Sequence, residues 1–297
     1  MNPLILVTGG TGYIGSHTAV ELIENGFDTV IIDNLCNSKL EVLEGIEAIT
    51  GVKPHFENFD LCNLDLLRQF CKKYSGIKAI IHFAALKAVG ESVELPLDYY
   101  HNNFESLINL LRVMGEFNIP NMVFSSSCTV YGQPDKLPVT EDSPVKKANS
   151  PYGNTKQVSE EIIQDAIAAN HQIKAISLRY FNPIGAHPSA RIGELPLGVP
   201  LNLIPYLTQA VIGIRPELRV FGNDYDTPDG TGIRDYIYVV DLAKAHVVAL
   251  KRLLEGKNKN SYEVFNLGTG RGHSVMEIIK AFEKVTGEKV RYKIYPR

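Results

Sequence analysis

Tryptophan is absent from the 297 residues, and cysteine and methionine occur only four times each. The cysteines stand at Cys36, Cys62, Cys71 and Cys128, and no two of them form a C-x-x-C pair. That excludes the common zinc spacings and reads as reduced thiols in a cytosolic protein. No apolar run approaches the roughly 20 residues of a membrane span. After Met1-Asn2-Pro3 only four apolar residues precede Thr8, too few for the core of a secretory signal. A cytoplasmic location and no membrane partner are therefore expected. Neither charge is in large excess: 30 Lys+Arg face 33 Asp+Glu, for a net charge of −3. A nucleic-acid partner would need a basic footprint that this balance does not provide. Low-complexity tracts and internal repeats are lacking too, and the 16 prolines and 24 glycines are dispersed. With 44% hydrophobic residues, disorder is excluded as the main character.

The first half alternates short apolar runs with helical patterns. Strands are expected at Leu4 to Val7, Thr29 to Ile32, near Phe56, at Ala79 to Phe83, Met122 to Phe124 and Ala175 to Leu178. Helices are expected between them at Tyr13 to Glu24, Leu64 to Tyr74, Tyr99 to Phe117 and Pro151 to about Ala169. The strands lack period-two alternation, so both their faces are buried. Strands and helices in this rhythm give an α/β fold, a Rossmann-type doubly wound parallel sheet. Beyond residue 180 the rhythm breaks into Gly- and Pro-rich loops. Helices are expected there at Ile204 to Ile212, Val240 to Leu254 and Val275 to Val285, and strands at Leu218 to Phe221 and Tyr262 to Asn266. The expected division is a dinucleotide-binding domain over 1–180 and a smaller α+β substrate-binding region over 181–297.

Gly9, Gly12 and Gly15 follow the first strand and open the first helix. Glycines let the backbone approach a pyrophosphate, and the helix N-terminus supplies free N–H groups. Asp33 ends the second strand, where its carboxylate can accept from an adenosine ribose and would repel a 2′-phosphate. NAD is thus favoured over NADP. Ser150 and Pro151 are expected as N-cap and first residue of a helix that carries Tyr152 and Lys156 one turn apart. A phenol of pKa ~10 is a poor base at neutral pH, and bringing it to ~7 takes about 4 kcal/mol of differential stabilisation. A neighbouring ammonium and a cationic nicotinamide both act in that direction. Ser125-Ser126-Ser127 ends the fifth main strand, at the sheet edge where such folds bind ligands.

Together these residues resemble the UDP-glucose 4-epimerases (UDP-galactose 4-epimerases), extended members of the short-chain dehydrogenase/reductase superfamily. The resemblance runs from Leu4 to Arg297 through blocks such as GGTGYIGSH (Gly9 to His17), HFAALKAVGES (His82 to Ser92), SSSCTVYG (Ser125 to Gly132), SPYGNTK (Ser150 to Lys156) and LRYFNPIGAHPS (Leu178 to Ser189). It implies an isomerase that interconverts UDP-glucose and UDP-galactose. The 4-hydroxyl loses its proton to Tyr152 while hydride passes from C4 to tightly held NAD, then returns to the opposite face of the 4-keto sugar. Ser127 would orient or relay the proton, and Lys156 would lower the Tyr152 pKa and hold the nicotinamide ribose. Cofactor positions by the same match are Gly9, Gly12, Tyr13, Ile14, Gly15, Asp33, Asn34, Asp60, Leu61, Phe83, Ala84, Lys87, Asn102, Tyr152, Lys156 and Tyr180. UDP-sugar positions are Ser127, Tyr152, Asn182, Asn202, Leu203, Phe221, Arg234 and Tyr236, with no metal. A homodimer across the helices near Asn103 to Phe117 and after Pro151 is implied as well.

Three features depart from the pattern. Ala85 replaces a common Gly, Cys128 replaces a usual Ala, and the family continues past Pro296-Arg297, so the substrate region is expected to be incomplete at its C-terminal end. Nucleotide-sugar 4,6-dehydratases carry a Thr-Asp-Glu run where this chain has Ser127-Cys128-Thr129, which leaves elimination without its acid. A decarboxylating relative and a non-catalytic NAD-binding module would share the same cofactor loop. The presence of both Tyr152 and Lys156 disfavours the non-catalytic module.

Overall fold

A computed structural model describes residues 2–297. In chain order the elements are β1 (Leu4–Thr8), α1 (Tyr13–Glu24), β2 (Asp28–Asp33), α2 (Val42–Thr50), β3 (His55–Asn58), α3 (Leu64–Lys73), β4 (Ile77–His82), α4 (Val89–Glu94) and α5 (Pro96–Glu116). Then follow β5 (Asn121–Ser127), a 3₁₀ turn (Cys128–Tyr131), α6 (Pro151–Ala169), β6 (Lys174–Tyr180), β7 (Asn182–Ile184), α7 (Leu203–Val211) and β8 (Leu218–Phe221). The chain continues through β9 (Ile233–Tyr238), α8 (Val239–Leu254), β10 (Tyr262–Leu267), β11 (Gly272–Ser274), α9 (Val275–Thr286) and β12 (Tyr292–Tyr295).

Seven strands form a wholly parallel sheet in the order β10-β6-β5-β4-β1-β2-β3. Successive side chains of β1 point to opposite faces. Ile5 and Val7 join one core with Ile31, Ile81 and Val123 beneath α1 and α8. Leu6 joins the other with Val30, Ile80 and Met122 beneath α3, α5 and α6. All three β1 side chains are fully buried. Burial on both faces explains the unbroken apolar runs, and each such side chain contributes about 1.5–3 kcal/mol. The strand order reverses between β1 and β4, which opens a crevice at their carboxyl ends.

The chain beyond residue 180 does not stay apart from this layer. Strand β10 pairs in parallel with β6, Tyr262 opposite Ala175 through Leu267 opposite Tyr180. Helix α8 buries Val239, Leu242, Ala243, Val247, Leu250 and Leu253, a stripe too wide to be satisfied within a small subdomain. It packs beside α1, and in doing so returns the chain to the sheet edge. The remaining strands form a three-stranded sheet, β11-β9-β7, whose Ile237 joins the main core, and a two-stranded one, β12-β8, which with α7 and α9 encloses a minor core of Leu207, Leu218, Val220, Ile279 and Val290.

Candidate active site

Each side of the crevice is built by a short local signal. The β1–α1 turn places Gly9 at φ 70°, and the Gly9 N–H donates to the Ile32 carbonyl (2.8 Å). A Cβ on Gly9 would stand 2.7 Å from the Ala84 backbone nitrogen, and one on Gly15 would stand 2.2 Å from the Gly9 carbonyl oxygen. Gly12 serves as N-cap of α1, and no side chain caps that helix. The cradle is therefore open to an anion at a helix N-terminus. Asp33 accepts from the Thr11 N–H (3.2 Å), the Leu35 N–H (2.9 Å) and the Ser38 hydroxyl (3.2 Å). Asn34 donates to Asp60 (3.0 Å), which also accepts from the Cys62 N–H (2.8 Å). Leu61 is buried beside them, and its carbonyl accepts from Asn109 (3.0 Å). The Phe83 N–H donates to the Thr8 carbonyl (3.0 Å), and Asn102 donates to Asn103 (3.0 Å). The residues present fit a dinucleotide. There is a backbone cradle that side chains would fill, and a carboxylate at the end of β2.

The other wall is β5 and α6. Ser150 accepts from the Gly153 N–H (3.1 Å) as N-cap, and Pro151 occupies the first turn. This sets Tyr152 and Lys156 on the helix face that looks at the end of β5. Lys156 is buried; its ammonium donates to the Ser125 carbonyl (2.7 Å) and lies 4.8 Å from the Phe124 ring centre and 5.9 Å from that of Tyr152. Ser127 is buried, and its hydroxyl accepts from the Thr129 N–H (3.2 Å). Tyr180 shares a hydrogen bond with the Ser125 hydroxyl. Burial lowers the Lys156 pKa to about 8, against the opposing pull of Glu160. Burial also pushes the Tyr152 phenol up, with Tyr180 adding to it and the Ser127 hydroxyl drawing it partway back. In the protein alone, desolvation at Tyr152 outweighs its neighbours.

The expected substrate positions fall into two groups. Asn182 on β7 pairs with Tyr236 on β9 and donates to the Asp235 carbonyl (3.0 Å). Arg234 adjoins them, close enough to Cys128 to pull its thiol pKa down against the burial that raises it to about 11. These residues gather around the end of β5. Asn202, Leu203 and Phe221 lie farther along the chain's second region. Asn202 donates to Glu194 (2.6 Å), whose carboxyl burial pushes up while Asn202 and Lys87 pull it down. Leu203 packs on the minor core, and Phe221 is 58% exposed with its ring 6.1 Å from that of Tyr295. Tyr13 reaches across from the cofactor loop and donates to the Gly185 carbonyl (2.6 Å).

Several structural partners of the site are not among the expected site residues. Asn103 holds the β4–α4 loop through both the Leu86 N–H and carbonyl and donates to Thr155 (3.1 Å), which ties that loop to α6. Asp235 accepts from the Thr269 N–H (3.0 Å) and the Gly270 N–H (2.9 Å) and so fixes the β10–β11 turn. Glu160 and Arg179 form a buried ion pair behind Lys156. For Arg179 the available signal is a charged side chain inside an otherwise apolar strand.

Residues 5–268 match the NAD dependent epimerase/dehydratase family. A UDP-glucose 4-epimerase from Dictyostelium discoideum is 51% identical over 99% of this chain and 84% of its own length. That from Homo sapiens is 50% identical over 99% of this chain and 85% of its own length. Among solved structures, a UDP-glucose 4-epimerase from Bifidobacterium longum, in complex with NAD+ and UDP, is 46% identical over 99% of this chain and 86% of its own, with a TM-score of 0.94. The glycine cradle, the Tyr152–Lys156 helix and identities near one half over almost the whole length agree, and the chain belongs to the NAD dependent epimerase/dehydratase family, among its UDP-glucose 4-epimerases.

Proposed function

We propose that the chain interconverts UDP-glucose and UDP-galactose at C4, with Tyr152 as the base. The observation that carries this reading is the placement of Tyr152 and Lys156 on one face of α6, with Tyr152 opposite Ser127 and Lys156 on the end of β5. NAD, when bound, supplies the electron sink that lets C4 pass through a ketone and back.

The protein's own residues divide the remaining work. Free N–H groups of the Gly9–Gly15 turn receive the pyrophosphate, and Asp33 receives the adenosine ribose. Lys156 holds the nicotinamide ribose and places a positive charge at the Tyr152 ring. Because burial raises the Tyr152 phenol, the positive groups around it must overcome that desolvation before the phenol can take a proton near neutral pH. Ser127 hydrogen-bonds the reacting hydroxyl and keeps it in line with Tyr152. Arg234 offers paired donors to the diphosphate, and Asn182 a further polar contact. A sugar that must present both faces of C4 cannot be gripped tightly by its ring, so binding falls mainly to the nucleotide side. Among the described residues no helix is long and apolar enough to cross a membrane. All four cysteines are free thiols, which supports action in the cytoplasm. A second copy would dock on α5 and α6; exposed Leu95 and Leu97 at the start of α5 support that face.

Purified protein mixed with UDP-galactose, with no cofactor added, is expected to form UDP-glucose and to release NAD on denaturation. Tyr152→Phe is expected to lose ~10²–10⁴ in turnover with UDP-sugar affinity nearly intact. Retained turnover in that variant would remove Tyr152 from the mechanism. The same preparation should sediment as a dimer.

A further inference from the structure

Strand β5 ends in three serines, and α6 grips all of that end. Lys156 holds the Ser125 carbonyl, and one turn later Glu160 accepts from the Ser126 hydroxyl (2.5 Å). Glu160 also accepts from Arg179 Nε (2.9 Å) and Nη2 (2.5 Å), a two-pronged pair with both side chains at most 7% exposed. Arg179, on β6, donates in turn to the Tyr131 hydroxyl (3.0 Å), which donates to Asn266 on β10 (2.7 Å). One carboxylate thus links α6, β5 and β6 directly behind the residues that face the substrate. A buried ion pair is rarely a source of net stability, because its desolvation consumes most of the Coulomb gain. Its position therefore asks for another role.

We propose that Glu160, held by Arg179, is a positioning residue for the reaction: it fixes α6 against the end of β5 and supplies the negative charge that keeps the Lys156 ammonium in place. This rests on the reading of Tyr152 and Lys156 given above. The ionisable groups near Lys156 are Tyr152 and Glu160 on its own helix and His82 on β4, with Tyr180 of β6, Cys128 and Tyr99 of α5 around Tyr152. Burial drives His82 down to about 3 and Tyr180 up to about 12, and it raises Tyr152 and Tyr99 as well. His82, Tyr180, Cys128 and Tyr99 are uncharged across the neutral and mildly alkaline range, Tyr152 carries charge only when it is ionised as the base, and Arg179 meets the site through Glu160. Glu160 is then the permanent anion that, together with the Tyr152 phenolate of the reacting enzyme, opposes the loss of the Lys156 proton, and without it Lys156 would shed that proton at lower pH.

Epimerisation of UDP-galactose should be followed from about pH 6 to about pH 10 in the wild type, E160Q, E160D and E160Q/R179M, with Tyr152→Phe as control. E160Q is expected to lower kcat about tenfold, to leave KM within about twofold, and to move the alkaline limb of the rate about one unit toward acid. E160D keeps the charge on a shorter arm and should return the limb while recovering only part of the rate. E160Q alone leaves Arg179 buried without its partner and is expected to melt early. The double variant removes both charges and should recover the melting temperature yet keep the displaced limb. A wild-type limb in the folded double variant, or a displaced limb in E160D, would overturn the proposal. An active Tyr152→Phe would instead overturn the reading beneath it.

Discussion

At the scale of single residues, what decides a substitution is the space and the dihedral angle it inherits. Gly9 and Gly26 both sit at positive φ, 70° and 79°. A side chain at Gly26 would meet nothing within 4 Å, whereas at Gly9 it would meet the Ala84 backbone at 2.7 Å. Left-handed geometry alone costs an alanine about 1–2 kcal/mol. Gly26→Ala should therefore lower stability by about that amount and leave the cofactor in place. Gly9→Ala adds an overpacking penalty of about 1–3 kcal/mol, and it pushes apart the two loops that would flank the pyrophosphate. Measured by NAD released on denaturation and by thermal melting, Gly9→Ala should lose cofactor well beyond what its stability loss explains. Equal retention in the two variants would contradict the assignment of this turn to the cofactor.

At the scale of elements, the helix that carries the chemistry depends on its first turn. Ser150, two residues before Tyr152, accepts from the Gly153 N–H. Ser150→Ala should cost about 0.5–2 kcal/mol and, by fraying the turn, reduce turnover, while Ser150→Asp should restore both. Circular dichroism melting with the epimerase assay checks the pair of effects; a stability loss without a rate loss would show that the cap does not position Tyr152. Signals of this kind are legible in the sequence because they are local. The glycine turn, the Ser150-Pro151 start and the Ser274–Glu277 pair, which cap each other at the start of α9, each specify their own backbone within a few residues. What is not legible depends on distant partners. The three-residue strands β7 and β11 exist because β9 lies between them. The place of β10 at the edge of the main sheet follows from where α8 finds a face to bury, which no pattern inside Tyr262–Leu267 records. Helix α2 goes unmarked for a different reason: it follows a polar loop and ends at Gly51, with only Leu43, Gly45 and Ile46 buried. Of the site, residues on the motifs can be read directly. The roles of Glu160, Arg179 and Asn103 come from contacts 17 or more residues away, which no local pattern records.

At the scale of the whole molecule, three buried histidines couple folding to acidity. His17 on α1 donates from Nδ1 to the Tyr13 carbonyl (2.7 Å), and His246 on α8 donates from Nδ1 to the Leu242 carbonyl (2.8 Å). In both rings Nε2 is buried with no hydrogen-bond partner, so a second proton would enter the core without an acceptor. His82 on β4 spends its Nδ1 on Thr8 (2.7 Å) and faces the Lys156 ammonium. Burial lowers the three pKa values from 6.5 to about 4, about 4 and about 3. The unfolded chain therefore binds protons that the folded chain refuses, and stability rises with pH over this interval. The contribution is fully present above about pH 6.5 and is lost progressively as the pH falls through about 4 for His17 and His246 and about 3 for His82. The combined loss is several kcal/mol, comparable with the whole stability of many domains. Since the three rings lie on α1, β4 and α8, all within the main layer, acidification should unfold that layer as a unit rather than fray one edge. Melting temperatures taken at about pH 7.5, 6 and 5 should fall steadily, and His246→Gln, which removes one titrating ring, should fall less steeply. A melting temperature flat across that interval would mean that these rings accept protons in the fold, and with it that the core around α1 and α8 admits water.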